Sequence, residues 1–416
     1  MRTDTTESPE TARAEKPRLL VVPHLFTQTI RVREIELARR LTKYFDVHCL
    51  KWNDAFFADS DCRLKEWWQR VRIGLQTLVT KTNITIAADG IKYVEIPMVQ
   101  ALVLKNLIGN RLAVSVARAC NTRVLVDVAS KLNITHLLLA SGHFHVPSST
   151  SGLRIFCDIV DWFDEEHSPD WILKSTEMTL QTMAREAKLI FAVSPLLSEG
   201  LFARYGIQSD PFPNGADVAG LRAVPAEKVA DVRRRWGITG RFVIGYIGNH
   251  GSFAGVDFIL RVHQLLRKRI PDAVLFIVGP AGYWKSMVKH RREEGVIFTG
   301  AIDPSEINAY FNAIDIGLLA QAPNLGTNYA FQIKMVEYAA SRKFAISTPL
   351  EVWKKMAWPN VSLIEPDAQR WVDAIEKARS RRWCGDWDNL VESYNWQVIA
   401  DRVAHSMLGT PGGAQP

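Results

Sequence analysis

Short apolar runs alternate with helical patterns along the first half of the chain, and this alternation restricts the fold more than any other feature. Each run is flanked by a segment with helical periodicity. Strands that alternate with helices form a parallel sheet covered by helices on both faces. The predicted strands are Arg18–Leu25, Phe45–Leu50, Lys92–Pro97, Thr135–Ala140, Arg154–Val160 and Lys188–Val193.

A second alternating series follows the turn Pro213-Asn214-Gly215, which predicts an α/β protein with two parallel sheets. We predict an N-terminal domain over 17–207, a C-terminal domain over 208–392, and tails at 1–16 and 409–416. The first tail is polar and lacks the apolar segment of a secretory signal, so we expect it to be disordered. The strands predicted for the second sheet are Phe242–Gly248, Ala273–Gly279, Val296–Phe298, Asp315–Leu319, Phe344–Ser347 and Val361–Ile364.

Composition limits the class of partner. The five cysteines are scattered in no CxxC spacing, which favours a reducing compartment and predicts a cytoplasmic protein without a disulfide framework or structural zinc. The formal charge of +7 suggests an anionic partner. Zinc-finger spacing and dense Lys/Arg tracts are absent from the sequence, so nucleic acid is not expected. A membrane surface or a phosphorylated small molecule fits better.

Two basic segments, 63–81 and 104–123, mix apolar and cationic residues with helical spacing. The first also carries Trp67 and Trp68. Basic amphipathic helices with tryptophan can lie on anionic lipid headgroups. The other interpretation is that both are ordinary surface helices packed on the sheet. A peripheral location at the inner face of the membrane is therefore a hypothesis.

Polar side chains follow two predicted strands of the first half. His143 and His145 come after one strand, while Asp158 and Asp161 lie at the end of the next, in an acidic stretch that continues to His167. Ligands of parallel sheets bind beyond the carboxyl ends of the strands. These residues could hold a metal ion, form a solvated turn or contact a substrate, although the histidine spacing matches no known zinc motif.

The segment Pro323–Leu350 predicts a loop, a helix over about Phe331–Ser341 and a strand. Lys334 and Glu337 lie three residues apart on the polar side of this helix. Near a helix N-terminus, such a pair could bind a ligand that carries both phosphates and hydroxyls. A solvated salt-bridge face is the alternative.

A glycine-rich loop, GYIGNHGSFAG, ends the first strand of the second series. Gly248 and Gly251 allow a ligand to approach the backbone closely, and a helix follows. The loop matches neither the dinucleotide-binding fingerprint nor the P-loop, so it does not by itself indicate NAD or ATP.

Several of these stretches, in this order, resemble the donor domain of the retaining glycosyltransferases of family 4. They are GYIGNHGSFAGVDFIL, LFIVGP, VIFTGAIDPSEINAYFNAIDIGLLA and FQIKMVEYAASRKFAIST. AVSPLLSEGLFARYG and FPNGAD resemble the interdomain segment of that family, and YNWQVIADRVAHSML resembles its C-terminal helix. The resemblance implies the GT-B fold, in which two Rossmann-like domains face each other across a cleft and a helix, here 393–408, crosses back to the N-terminal domain.

The resemblance also implies a function. It predicts transfer of a sugar from a UDP- or GDP-sugar to a glycan, lipid-linked or small-molecule acceptor, without a cofactor or metal ion. Glu337 would hold the ribose hydroxyls, and Lys334 the diphosphate. The full donor-side set is Gly248, Asn249, His250, Gly251, Gly279, Tyr329, Ala330, Phe331, Lys334 and Glu337. The acceptor-side set is His24, His143, His145, Asp158 and Trp162, and Asp161, Lys334 and Glu337 are the catalytic candidates.

The chain departs from the family pattern at three positions. Tyr329 stands where the first of two glutamates is usual, and Ala254 replaces a lysine of the glycine loop, so His250 or Lys334 would supply the charge. Asp161 stands where a histidine is usual. Two alternatives therefore stay open, a non-catalytic partner subunit with this fold and a nucleotide-sugar 2-epimerase.

Overall fold

The computed structural model describes residues 15–24, 32–52, 81–101, 108–162, 168–280 and 293–410, together with positions 72 and 104. Most of the predicted basic helix 63–81 lies outside the described residues, as do the carboxylates and histidine of 164–167. The same holds for 1–14 and 411–416, so most of both predicted tails stays a prediction.

The first sheet has eight strands in the order β3-β4-β2-β1-β5-β6-β7-β8. All six predicted strands are present and parallel, as expected. Two further short strands were not predicted: β3 pairs antiparallel with β4 at one edge, and β8 extends the other. The strands are β1 Arg18–Val22, β2 Asp46–Lys51, β3 Asn83–Ile86, β4 Lys92–Glu95, β5 His136–Leu139, β6 Arg154–Ile159, β7 Leu189–Ala192 and β8 Asp210–Pro211.

The second sheet has six parallel strands in the order β11-β10-β9-β12-β13-β14. All six were predicted, and the four central strands β9, β10, β12 and β13 are buried throughout, as expected for a parallel sheet covered on both faces. The strands are β9 Val243–Ile247, β10 Val274–Val278, β11 Val296–Phe298, β12 Ile316–Leu319, β13 Phe344–Ser347 and β14 Val361–Leu363.

Helices cover the two sheets. Those of the first domain are α1 Arg33–Leu41, α2 Asn110–Lys131, α3 Asp170–Glu186 and α4 Pro195–Tyr205. Those of the second domain are α5 Val218–Arg222, α6 Ala226–Arg235, α7 Val256–Arg269, α8 Ile307–Ala313, α9 Leu325–Tyr329, α10 Ile333–Ala340, α11 Glu351–Met356, α12 Ala368–Arg379 and α13 Trp387–Glu392. None of the helices within the described residues is both long and apolar enough to cross a bilayer.

The first domain extends slightly further than predicted. We placed its end at residue 207, but Asp210–Pro211 forms β8 and pairs with β7. A strand of two residues carries no periodicity, so the sequence pattern could not reveal it. The domains therefore meet after Pro211, next to the predicted turn at Pro213-Asn214-Gly215.

The last helix, α14 (Trp396–Leu408), crosses back to the first domain as predicted. Ile399, Val403 and Met407 are buried in one cluster with Leu37 and Leu41 of α1. The crossing segment also pairs with the interdomain linker: the Ala216 amide donates to the Tyr394 carbonyl at 2.9 Å, and the Trp396 amide donates to the Ala216 carbonyl at 3.1 Å. Two hydrogen-bonded chain segments thus join the domains.

Candidate active site

A cavity of about 1000 Å³ lies between the two domains, at the ends of the strands where both sheets present their carboxyl-terminal loops. This is the position at which open α/β sheets bind ligands. The first domain contributes the residue after β1, the start of α1 and the loop after β6. The second contributes the loops after β9, β10 and β12, and the first turns of α9 and α10.

Two glycines bring bare backbone to the floor of the cavity. Gly248 has φ 139° and Gly279 has φ 129°, which side chains rarely tolerate. The Gly248 amide donates to the Val278 carbonyl at 2.9 Å. A Cβ atom at Gly279 would lie 2.3 Å from the Gly248 carbonyl oxygen, and one at Gly248 would lie 2.8 Å from Lys334 Nζ. The missing side chains therefore leave room for a ligand in front of Lys334.

Helix α10 presents Lys334 and Glu337 to this cavity, as predicted. Lys334 Nζ lies 3.9 Å from the centre of the Tyr246 ring, a distance at which the ring face attracts a cation. Burial lowers the pKa of the Lys334 ammonium to about 7, against the opposing charge of Glu337. Both side chains thus meet at one end of the cavity rather than on a solvated helix face, so the salt-bridge alternative is wrong.

The residues before α10 hold its first turn in place. The Gln332 side-chain amide donates to Gln321 Oε1 at 2.9 Å and accepts from Trp353 Nε1 at 2.5 Å. Asn214, from the interdomain linker, donates to the Phe331 carbonyl at 2.6 Å. Gln332, Gln321 and Asn214 line the cavity but were not predicted, because a single amide side chain gives no pattern in a sequence.

The wall from the first domain is dense in charge. His24 Nδ1 lies 2.7 Å from Glu34 Oε1, and Glu34 is fully buried. Burial opposes protonation of His24, but the hydrogen bond and charge of Glu34 outweigh it and raise the pKa of the imidazole. Desolvation by the walls of the cleft raises the pKa of Asp161 to about 6, against the opposing charge of His24. His24 and Asp161 both line the cavity, as predicted, and Glu34 was not predicted.

Asp158 contacts Arg33, which lies at the start of α1. Arg33 Nε donates to Asp158 Oδ2 at 2.8 Å, and only 3% and 1% of these two side chains are exposed. The guanidinium also donates to the Pro213 carbonyl at 3.0 Å and to Asn214 Oδ1 at 3.2 Å. Asp158 does not line the cavity, so its predicted place on the acceptor side is wrong. It anchors Arg33, which does line the cavity.

Tyr329 does not line the cavity either. Its ring stacks on Trp162 of the first domain with centroids 4.6 Å apart, and Ser194 donates to its carbonyl at 2.8 Å. A Cβ atom at Gly200 would lie 2.8 Å from the same ring. Tyr329 therefore joins the two domains instead of reaching the donor. Trp162, Ala330 and Phe331 do line the cavity.

The remaining histidine predictions are also corrected by the structure. His250 is buried, and burial lowers the pKa of its imidazole to about 4, so it is neutral near pH 7 and cannot replace the missing lysine. Neither His250 nor Gly251 lines the cavity, although Asn249 does. The His143 ring packs edge-on against Trp52 with centroids 6.1 Å apart, and neither it nor His145 lines the cavity. Within the described ranges, no group of three or more His, Cys, Asp or Glu side chains could hold a metal ion.

The arrangement suits an anionic ligand that also carries hydroxyls. Lys334 offers a cation, and Gly248 leaves space in front of it, beside the start of α10, where N–H groups favour anions. The two oxygens of the Glu337 carboxylate can accept hydrogen bonds from two neighbouring hydroxyls. Across the cavity, Asp161 and His24 can bond to further hydroxyls.

Comparison with known proteins gives the same picture. Residues 241–380 match the family described as Glycosyl transferases group 1. TuaH of Bacillus subtilis (strain 168), a protein named for teichuronic acid biosynthesis, is 32% identical over 29% of this chain and 30% of its own length. A GDP-mannose-dependent alpha-(1-6)-phosphatidylinositol monomannoside mannosyltransferase of Mycolicibacterium smegmatis is 25% identical over 36% of this chain and 41% of its own length. The chain therefore spans less than half the length of these relatives.

Solved structures match over most of the chain. Sucrose-phosphate synthase from Thermosynechococcus elongatus aligns with a TM-score of 0.65 at 14% identity, covering 94% of this chain and 98% of that one. Anabaena HepE, solved in complex with UDP-glucose, aligns with a TM-score of 0.58 at 14% identity, covering 94% and 95%. The predicted resemblance is thus confirmed at this level: this chain has the GT-B fold, and its residues 241–380 match the family described as Glycosyl transferases group 1.

Proposed function

We propose that this protein is a glycosyltransferase that moves a sugar from a nucleotide-sugar donor to a hydroxyl group of an acceptor. The observation that carries the proposal is the placement of Lys334 and Glu337 beside Gly248 in the interdomain cavity. Lys334 and the first turn of α10 would bind the diphosphate in the space that Gly248 leaves, and Glu337 would accept hydrogen bonds from the two ribose hydroxyls. A matching family model over 241–380 and a similar fold solved with UDP-glucose support this assignment of the donor side.

In the proposed reaction, the bond between the anomeric carbon and the diphosphate oxygen breaks, a bond to the acceptor oxygen forms, and the proton of the acceptor hydroxyl passes to the leaving diphosphate. The ammonium of Lys334 stabilises the negative charge that develops on the leaving diphosphate. Asp161 and His24 lie on the opposite wall, where they would contact the transferred sugar or the acceptor hydroxyl. The family resemblance predicts that the anomeric configuration is retained and that no metal ion is needed.

The test is turnover with a panel of UDP- and GDP-sugars. Glu337→Ala should abolish most of the turnover at low donor concentration without changing the fold. Glu227→Ala is the matched control, because Glu227 is exposed on α6 of the same domain. Near-normal turnover of the Glu337 variant would refute the assignment. Proton NMR of the product reports the anomeric configuration, and turnover in excess EDTA tests the need for a metal ion.

One observation favours a second candidate, a non-catalytic subunit. Tyr329 stands where the family usually has a glutamate, and its ring packs between the domains. The carboxylate of that glutamate is therefore not replaced at position 329. A protein that binds nucleoside diphosphates tightly and transfers or hydrolyses none of the donors would support this candidate. Epimerisation of the donor sugar in the same assay would support the 2-epimerase alternative.

We propose that the acceptor hydroxyl belongs to a glycan, a lipid-linked molecule or a small molecule. The reaction would then serve the synthesis of a cell-surface polysaccharide or a glycolipid. The two curated relatives are named for a cell-surface polymer and for a phosphatidylinositol mannoside, which supports that choice. We propose that the protein works at the cytoplasmic face of a membrane, contacting anionic lipid through 63–81 and 104–123. Vesicle binding that does not depend on lipid charge would contradict this location.

A further inference from the structure

A second groove lies on the second domain, at the edge of the sheet opposite to the active-site cavity. It has a volume of about 440 Å³ and is formed where β9, β12 and β13 begin and where α12 ends. The cavity between the domains lies where β9 and β12 end. Strands of four or five residues at ~3.3 Å per residue put about 13–17 Å between the two sites. A ligand in this groove would therefore not touch the sugar-transfer site.

The groove is strongly cationic. Its lining carries six cationic side chains and two carboxylates, Asp272 and Asp315, an excess of four positive charges. Such a concentration of one sign in a concave surface attracts anions. The cations are Arg241, Arg342, Lys343, Arg379, Arg381 and Arg382.

These cations lack the carboxylate partners that cations elsewhere in this domain have. Among the described residues, Arg342 alone of the six lies within 4.0 Å of a carboxylate, at 2.6 Å from Asp388. Asp315 is 2.8 Å from Arg233 and accepts a hydrogen bond from the Val243 amide at 2.7 Å, so its charge is shared between Arg233 and the groove, where it favours the ammonium form of Lys343. By contrast, Arg267 and Arg269 each form ion pairs. Within the part of the chain that is described, the groove therefore keeps an excess of positive charge.

Aromatic rings and carbonyls hold several of these side chains instead. The Arg381 guanidinium lies 4.3 Å from the centre of the Phe344 ring and donates to the Pro359 carbonyl at 2.9 Å. Arg379 lies 4.9 Å from the centre of the Phe242 ring. These contacts fix the guanidinium groups without cancelling their charge. Burial lowers the pKa of Lys343, so a bound anion would stabilise its ammonium form.

We propose that this groove is a binding site for a phosphate-bearing ligand, separate from the sugar-transfer site. Arginine forks match phosphate oxygens with paired hydrogen bonds, and six cations with two carboxylates around one groove suit a ligand with more than one negative charge. The groove is also large enough for a small phosphorylated molecule. The phosphate can belong to a soluble metabolite or to the headgroup of a lipid. The proposal does not depend on the function assigned to the other cavity.

The experiment is calorimetric titration of the whole chain with inorganic pyrophosphate at constant ionic strength. Two sites are expected. The double variant Lys343→Met/Arg382→Ala should weaken one of them by about tenfold for each cation removed, as charge-assisted hydrogen bonds require. Lys334→Met should weaken the other site and leave the groove unchanged. If the unmodified chain shows the groove site and no second site, that result would count against the proposed function and not against the groove.

Two further variants keep the test decisive. Lys228→Met/Lys268→Ala removes the same charge from exposed positions on α6 and α7 and should leave both sites intact. Arg379→Ala/Arg382→Ala changes two exposed residues, so it should weaken the groove site even if the Lys343 variant fails to fold. If the groove variants bind pyrophosphate as tightly as the control double variant does, the proposal is wrong.

A vesicle sedimentation assay distinguishes the two sources of phosphate. The whole chain is sedimented with vesicles of phosphatidylglycerol and phosphatidylcholine, or of phosphatidylcholine alone. Loss of binding to the anionic vesicles in the groove variants identifies a lipid headgroup as the ligand. Unchanged vesicle binding, together with weaker pyrophosphate binding, identifies a soluble phosphate. Insensitivity of both probes to the groove variants would overturn the site.

Discussion

The two walls of the cleft use charge in opposite ways. On the wall from the first domain, Arg33 is paired with Asp158 and His24 with Glu34, so the charges largely satisfy one another. On the wall from the second domain, Lys334 faces bare glycine backbone and a tyrosine ring. The first arrangement keeps side chains in position, while the second leaves a cation available to a ligand. The comparison shows that a large number of charged side chains on a cleft wall does not by itself identify the wall that binds the ligand.

The largest effect should come from breaking the pair on the first wall. Arg33→Met leaves Asp158 buried and unpaired, so we expect the free energy of unfolding to fall by ~3–5 kcal/mol in urea denaturation. Arg33→Met/Asp158→Leu removes both charges and should recover most of that loss. Arg39→Met is the control, because that side chain is 44% exposed and its loss should cost ~1 kcal/mol or less. A loss no larger for Arg33 than for Arg39 would contradict the positioning role given to the buried pair on the first wall.

On the second wall, the expected effect is on binding rather than on folding. Lys334→Met should weaken binding of free UDP or GDP by ~1.5–3 kcal/mol, the value of a charge-assisted hydrogen bond, with little change in stability. Lys228→Met, on exposed α6, is the control. Calorimetry gives the affinity, and equal affinities for the two variants would contradict the assignment of Lys334.

Because the pKa of Lys334 is lowered to about 7, binding should also depend on pH. In the free protein the ammonium is mostly lost above pH 7, so affinity for the diphosphate should fall as pH rises, by about tenfold per unit at most. A bound diphosphate raises the pKa again, which predicts proton uptake on binding at pH 8 and none at pH 6. The Lys334→Arg variant stays charged over this pH range. The difference in pH dependence between the unmodified protein and this variant therefore reports the titration of Lys334, without the titration of the nucleotide itself.

The smallest effect on stability is expected at the stacked rings of Tyr329 and Trp162, which join the two walls. A double-mutant cycle with Tyr329→Leu and Trp162→Leu should give a coupling of ~0.5–1.5 kcal/mol for the ring pair, measured by urea denaturation. A coupling near zero would show that this contact does not hold the domains together. Trp162 also lines the cavity, so turnover of the Trp162 variant should fall more than turnover of the Tyr329 variant.

Prediction from sequence succeeded where apolar residues form a local pattern. All twelve predicted strands and the helix carrying Lys334 and Glu337 are present, because buried strands leave short apolar runs and a one-sided helix leaves apolar positions at helical spacing. The errors concern partners that are distant in the chain. Asp158 and Arg33 are separated by 125 positions, and Tyr329 and Trp162 come from different domains. Spacing along a sequence cannot reveal which of two polar residues faces a ligand and which faces another side chain.

The return of α14 to the first domain has a consequence for synthesis. The apolar side of α1 is covered by Ile399, Val403 and Met407, which follow nearly the whole second domain in the chain. Domains usually fold in the order in which they leave the ribosome. Here the apolar side of α1 stays exposed until residues 396–408 have been synthesised. A nascent chain that stalls earlier would therefore present an exposed hydrophobic surface that chaperones can bind.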